Sequence, residues 1–368
     1  MVNFKIKIAF FVHVISRIFC LIPIDKKKII FEAYMGKQYS CSPKYICEFL
    51  DNRQNGYNLI WIFQKDKILC KYPQIRRNSL SYFYHMLTAG TVILNSGKNK
   101  LLKFRNQQIV INTWHGGGAY KKIVHPGYDE HYRKNDYYLS SCKMASKYVI
   151  REGQEFYGEI LEYGLPRNDV LISYDQEKVK CIKKKLGVSQ KKCVLYAPTF
   201  RKDISKTEFA LDYKRLISSL ESKFGGDWIV LHRSHYHMKE HTSGNKFDDI
   251  IDVTKYPDMQ ELLLISDVLI TDYSSSIWDY SFLYKPAFLY ATDLKEYNIE
   301  RSFFVDIHKW PFPLCENNEE LENAIRKFEQ KHLERSIQEH HKMMGSFETG
   351  RASEQVYKFI QEKLGEIR

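Results

Sequence analysis

Apolar, β-branched runs alternate with helical patterns twice along this chain, and that alternation restricts the fold more than any other feature. In the first half, "KKIIFEAY" reads as a strand, "SPKYICEFLDN" as a helix with Ser42 as N-cap and Pro43 at its first position, and "YNLIWIFQ" as the next strand. The rhythm continues through helix "SLSYFYHMLTAG", strands "TVILNS", "QQIVINTW" and "DYYLSS", a helix near 143–152, and strand "EILEYG". Helices between successive strands carry the chain back to the same end, so the expected lobe is α/β with a mainly parallel sheet.

The charged helical stretch "DQEKVKCIKKKLG" then gives way to a new strand over 193–200. A second series follows: helix "DYKRLISSLESKF" closed by Gly225 and Gly226, strands "WIVLHR" and "IIDVT", helix "DMQELLLIS", strand "DVLIT", helix "SSSIWDYSFLYK" and strand "AFLYA". With 368 residues, 44% of them hydrophobic, the chain fills two cores at ~150 to 200 residues each. The expected division is a Rossmann-like domain over 25–173 and a second over 174–368, with the boundary near Ser173. Open parallel sheets bind ligands at the carboxyl ends of their strands, so two such lobes are expected to face a common cleft.

Residues 1–24 are set apart. Phe4, Ile8, Phe11, Ile15, Ile18, Phe19 and Ile22 recur at helical spacing, while Lys5, His13 and Arg17 fall on another face. Arg17 interrupts the run before it reaches spanning length, and "LIPIDKKK" is no cleavage site. The pattern predicts an amphipathic helix lying in a membrane interface; the alternative is a helix packed on the first domain. Lysine and arginine outnumber acids by 56 to 44, a net charge of +12, and the first 28 residues hold six basic groups against Asp25 alone. That excess suits an anionic partner, with the membrane surface favoured and no motif for nucleic acid. Eight scattered cysteines without a C-x-x-C pair read as reduced thiols of a cytoplasmic protein.

Several residues could carry chemistry. "IVINTWHGGG" places His115 directly after a β run, a good position for a general base. Gly116, Gly117 and Gly118 would let backbone N–H groups approach an anion beside Lys121 and Lys122; the alternative is a plain glycine turn. In "VLITDYSSSIWDY" a strand ends at Asp272, and Ser274, Ser275 and Ser276 open a helix that could hold phosphate or simply be capped by these groups. "WIVLHRSHYHMKEH" leaves another strand with Arg233 and His235, one permanent cation and one titratable donor suited to a diphosphate. Arg201 in "LYAPTFRKD", just past a strand end, and Arg167 in "YGLPRNDV", in a turn, could each reach a cleft ligand; the alternative for each is a surface arginine. The histidines around 235 match no zinc pattern beyond one His-x-x-x-His spacing, so no metal is expected.

Taken in order, "TWHGGG", "YGLPRND", "YAPTFR", "HRSHY", "SDVLITDYSSSIWDYSFLYKPAFLY" and "SFETGRASE" resemble the CDP-glycerol glycerophosphotransferase family of teichoic-acid synthesis, from about Ile29 to the C-terminus. The resemblance implies a GT-B fold attached peripherally to the cytoplasmic face of the bacterial membrane. It also implies transfer of a polyol phosphate from CDP-glycerol or CDP-ribitol to a hydroxyl on an undecaprenyl-diphosphate-linked acceptor, releasing CMP, for teichoic-acid or capsule-type polymers. His115 would then serve as base for the acceptor hydroxyl, with Arg233 and His235 at the donor phosphates. Asp272, Ser274, Ser275 and Asp279 would line the donor's phosphate or glycerol region. The family commonly has threonine after histidine-glycine, where this chain has Gly117. Chain-extending members often carry a further N-terminal domain, so the length is expected to suit a primase-like single addition, or a transferase decorating a capsule or other glycan, better than long-chain polymerisation. A GT-B glycosyltransferase using a nucleotide sugar is the competing expectation.

Overall fold

The computed structural model describes residues 18–19, 21–53, 56–65, 68–122, 136–199, 211–234, 249–300 and 302–367. The chain forms two compact units. The first holds a parallel sheet of seven strands, β1 (Asp25–Glu32), β2 (Asn58–Phe63), β3 (Gln74–Arg76), β4 (Ala89–Leu94), β5 (Ile109–Asn112), β6 (Asp136–Leu139) and β7 (Glu159–Leu161), in the order β3-β2-β1-β4-β5-β6-β7. The second holds six, β8 (Lys192–Ala197), β9 (Trp228–His232), β10 (Ile250–Asp252), β11 (Val268–Thr271), β12 (Ala287–Tyr290) and β13 (Leu314–Cys315), in the order β10-β9-β8-β11-β12-β13. Both are Rossmann orders, each reversing direction between its first and fourth strands.

The strands are apolar on both faces because helices cover both. In the first sheet Ile29, Phe31, Trp61, Phe63, Ile93 and Ile111 face one way, against Ile46 and Leu50 of helix α1 (Cys41–Asn52). The alternate residues Ile30, Ile60, Ile62, Val92 and Val110 face the other way, against Tyr82, Phe83 and Met86 of helix α2 (Leu80–Thr88). Each such aliphatic side chain contributes about 1.5 to 3 kcal/mol on burial. The cap of α1 is Ser40, so the expected cap Ser42 lies inside the helix.

The chain is not divided by a single cut after Ser173. The first unit takes the chain to His115, the stretch Val124–Asp169 and everything from Phe347; the second takes Gly116–Ile123 and Val170–Ser346. Val356, Phe359 and Ile360 of the last helix, α3 in the first unit (Ala352–Leu364), complete the core beneath the first sheet. Asp169 fixes this return by accepting from the Ala352 and Ser353 amides at 2.9 and 2.8 Å, supplying the cap that Arg351 does not. Glu348 accepts from the Leu165 amide and from Asn168 Nδ2, both at 2.9 Å. The motifs "YGLPRND" and "SFETGRASE" are therefore two halves of one staple.

Most of the expected amphipathic segment, residues 1–17 and 20, lies outside the described residues. Phe19 packs edge-on to Tyr84 at 5.7 Å, whereas Leu21 is 85% exposed. Among the described residues no helix is long and apolar enough to cross a membrane.

Candidate active site

Strand ends at the carboxyl edge of each sheet carry the candidate residues. In the first unit, the chain leaves β5 with Asn112, whose Oδ1 accepts from the Trp114 amide at 2.9 Å. This local turn holds Trp114 at φ 52°, in the left-handed region that a bulky residue rarely enters. The Thr113 amide meanwhile donates to Leu94 O at 2.7 Å, extending the ladder with β4 by one rung. The result projects His115 outward at the strand edge, its ring 4.2 Å from the Trp114 ring.

His115 Nδ1 lies 2.9 Å from Asn95 O. A carbonyl oxygen only accepts, so in the neutral ring Nδ1 carries the hydrogen and Nε2 keeps the lone pair. This is the state a general base requires.

Arg167 is not at the surface of its turn. It is 2% exposed, within the short helical turn Pro166–Asn168, and its Nη1 lies 3.6 Å from Cys41 Sγ. Cys41 itself has φ 62° at the start of α1. The guanidinium is thus walled into the first unit, which corrects the expectation that it could reach out to a ligand.

The glycines also differ from expectation. Gly116 is half-buried, and Gly117 and Gly118 are buried in the second unit. A Cβ on Gly117 would stand 2.5 Å from Trp278 Cδ1 and 2.7 Å from Asp279 Oδ1. Gly118 has φ 62° with Tyr120 and Trp278 close by. Here glycine permits close packing against a tryptophan, in place of the expected open backbone for an anion. Lys121 pairs antiparallel with Phe303, flanked by bonds from Lys122 N to Ser302 O at 2.8 Å and from Phe304 N to Tyr120 O at 2.9 Å. The Tyr120 hydroxyl meets His340 Nε2 at 2.9 Å, so the whole segment is secured to the second unit.

In that unit the direction reversal falls between β8 and β11. Asp272, at the end of β11, accepts from the Thr199 amide at 2.9 Å, the Thr199 hydroxyl at 2.5 Å and the Tyr273 amide at 2.6 Å. Its carboxylate ties the ends of the two strands together and is 3% exposed. Asp279, on the short helix Ser276–Ser281, accepts from Gln260 Nε2 at 2.9 Å and is likewise buried. Both carboxylates were expected to line a donor; the structure uses them as internal braces. Ser276 is buried as well, with its amide and hydroxyl donating to Ser274 Oγ at 3.3 and 2.9 Å. Ser274 and Ser275 remain half-buried, the more accessible hydroxyls of the motif.

Arg233 follows β9. Its amide donates to Tyr196 O at 2.9 Å, and Nη1 donates to Tyr256 O at 2.7 Å, so the guanidinium also supports the turn after β10. Arg201 and His235 lie outside the described residues. Asn95, Thr199 and Gln260, which hold the candidate residues in place, escaped the sequence reading; for Asn95 the available signal was a polar residue directly after the apolar run "TVIL".

Residues 14–362 match the family model described as CDP-Glycerol:Poly(glycerophosphate) glycerophosphotransferase. The chain belongs to this family. Among relatives of this glycerophosphotransferase, a teichoic acid poly(glycerol phosphate) polymerase of Bacillus spizizenii is 31% identical, over 96% of this chain and 95% of that protein. A polymerase of the same description from Staphylococcus epidermidis is 30% identical over 93% of this chain, which spans only 52% of that protein's length. A solved structure of the wall teichoic acid polymerase TagF superposes with a TM-score of 0.81 at 28% identity, covering 98% of this chain and 96% of the other. The same polymerase has been soaked with CDPG. The α/β fold with two parallel sheets is thus that of TagF. One polymerase matches this chain nearly end to end, so chain length does not separate single addition from polymerisation, contrary to expectation.

Proposed function

We propose that this glycerophosphotransferase moves glycerol phosphate from CDP-glycerol to a hydroxyl of a polyprenyl-diphosphate-linked glycan in teichoic-acid synthesis. The observation that carries the chemistry is His115, held at the end of β5 with Nδ1 on Asn95 O and Nε2 as its basic nitrogen. His115 takes the proton of the acceptor hydroxyl as that oxygen attacks the glycerol-bearing phosphorus. The phosphoanhydride bond breaks and CMP departs with the bonding electron pair. Arg233 and His235 stand by the donor phosphates and stabilise that departing charge, with Arg201 and the hydroxyls of Ser274 and Ser275 as further donor contacts. Such a transfer depends mainly on positioning and on cations around oxygens that gain charge.

The acceptor is lipid-linked and residues 1–24 attach the enzyme to the cytoplasmic face of the membrane. Support for this reading comes from the amphipathic pattern, the basic cluster that follows it and the exposed Leu21. Purified protein is to be incubated with CDP-glycerol, CDP-ribitol or a UDP-sugar, each with and without bacterial lipid extract. Lipid-dependent CMP release from CDP-glycerol is expected; preference for CDP-ribitol changes the donor, and UDP release alone makes the chain a sugar transferase. Removing residues 1–24 is expected to abolish cosedimentation with anionic vesicles, and undiminished sedimentation refutes the anchor.

A further inference from the structure

Asn95 follows β4 at the point where the first sheet reverses direction, and it has no exposed surface. Its carboxamide Oδ1 accepts from the Tyr34 amide at 2.7 Å. Tyr34 and Met35, immediately after β1, both have positive φ, 49° and 56°. Its backbone carbonyl accepts from His115 Nδ1 beyond β5. One residue thus connects the end of β1 to the imidazole carried by β5, with β4 between them. Its Nδ2 has no hydrogen-bond partner among the described residues, an arrangement that burial penalises and that an apolar side chain would avoid. The side chain is therefore poorly accounted for by packing alone. Its Oδ1 also accepts from the neighbouring Ser96 hydroxyl at 3.2 Å, so the bond to Tyr34 is the one that reaches another strand end.

We propose that Asn95 is the positioning residue for the base: its side chain, anchored on the Tyr34 amide, fixes the carbonyl that selects the Nδ1–H tautomer of His115. This rests on the reading of His115 as base for the catalytic consequence, but the tautomer itself does not. In water a histidine side chain favours the Nε2–H form, which would present a hydrogen where a lone pair is needed. A carbonyl at a fixed place reverses that preference. Side-chain truncation leaves the carbonyl chemically present yet free to shift, and displacement of about 1 Å near a reacting group costs on the order of 100-fold in rate. Asp at this position keeps an acceptor oxygen for Tyr34 and replaces the unpaired donor by a second oxygen, and with no exposed surface its carboxyl is driven toward the neutral, protonated form.

The test uses the full chain labelled with 15N-histidine, comparing wild type, Asn95→Ala and Asn95→Asp by long-range 1H–15N correlation, with His115→Gln to assign the signal. Wild type and Asn95→Asp are expected to show the Nδ1–H tautomer, and Asn95→Ala a mixture or the Nε2–H form. In the transfer assay Asn95→Ala is expected to lower kcat by about 10- to 100-fold with KM for CDP-glycerol unchanged, and Asn95→Asp to recover most of it. Circular dichroism and CDP-glycerol affinity verify that the variants fold. An unchanged Nδ1–H signal in folded Asn95→Ala overturns the proposal whatever the activity. A changed tautomer with unchanged kcat leaves the positioning intact and instead removes His115 as base.

Discussion

The two sheets share the order of six strands, the first adding a seventh, yet their carboxyl edges are furnished in opposite ways. At the first, neutral amides do the polar work: the backbone carbonyl of Asn95 holds His115, and the side-chain oxygen of Asn112 folds the turn that projects it. The titratable ring is left at the surface. At the second, the charged side chains are turned inward, with Asp272 bound to Thr199 and Tyr273 and Asp279 to Gln260. The Ser274 and Ser275 hydroxyls stay half-buried at the edge, beside an Arg233 guanidinium that also holds Tyr256 O. The proposed roles suit this difference: a general base needs exposure and a fixed tautomer, whereas a diphosphate is better held by neutral donors and cations than by exposed carboxylates.

The largest expected effect tests the first edge. His115→Ala should reduce CMP release by roughly 100- to 10,000-fold while leaving CDP-glycerol affinity, measured by calorimetry, near that of wild type. Turnover within a few-fold of wild type would mean that the exposed ring is not the base and that the two edges do not differ in this way.

Asp272→Ala tests the opposite claim about the second edge. Three donors lose their acceptor inside the unit, so the variant should lose about 3 kcal/mol or more in urea unfolding. Full stability with abolished donor binding would show the carboxylate to be a ligand contact after all.

Acid should act on the second unit through its buried histidines. Burial pushes the His340 and His341 imidazoles down to about 4, and His340 also carries the Tyr120 hydroxyl bond while His341 Nε2 meets Ser281 Oγ at 2.6 Å. The unfolded chain protonates histidine near 6.5, so between about 6.5 and 4 it binds more protons than the native state. Stability is therefore complete above about pH 6.5 and falls as pH drops toward 4, by about 2 kcal/mol for each ring at pH 5. Urea midpoints at pH 7 and 5 should show this loss, and a His340→Gln/His341→Gln double variant should show little of it.

The smallest effect separates packing from binding within the serine motif. Ser274→Ala should cost only about 1 kcal/mol of stability, because it removes the acceptor of Ser276, and should raise KM for CDP-glycerol several-fold. An unchanged KM would confine this hydroxyl to capping.

Much of the architecture was legible because parallel strands buried on both faces write continuous apolar runs. "YNLIWIFQ" is β2 with one extra residue at each end, and "TVILNS" finds β4 displaced by two residues, since the strand takes Ala89 and Gly90 and ends at Leu94. Strand β3, Gln74–Arg76, was not legible: three polar-flanked residues carry no periodicity. The helix expected over "SSSIWDYSFLYK" stops at Ser281, since Tyr284 adopts φ 52° and Lys285 precedes Pro286. At the site, His115 could be placed at a strand end from sequence, but the direction in which Asp272, Asp279, Arg167 and the glycines point could not. Nothing local tells a carboxylate that a threonine amide 73 residues away will claim it.

The sequence by itself determined two Rossmann-type sheets, the histidine at the end of β5 and the family to which the chain belongs, because strand periodicity and ordered motifs are local properties of the chain. Only the tertiary structure decided that the last helix returns to the first unit, that Gly117 makes room for Trp278, and that Asn95 selects the hydrogen on His115. Those outcomes depend on donors, acceptors and volumes brought together from distant parts of the chain, and hydrogen-bond satisfaction in a buried interior is settled by who is adjacent in space.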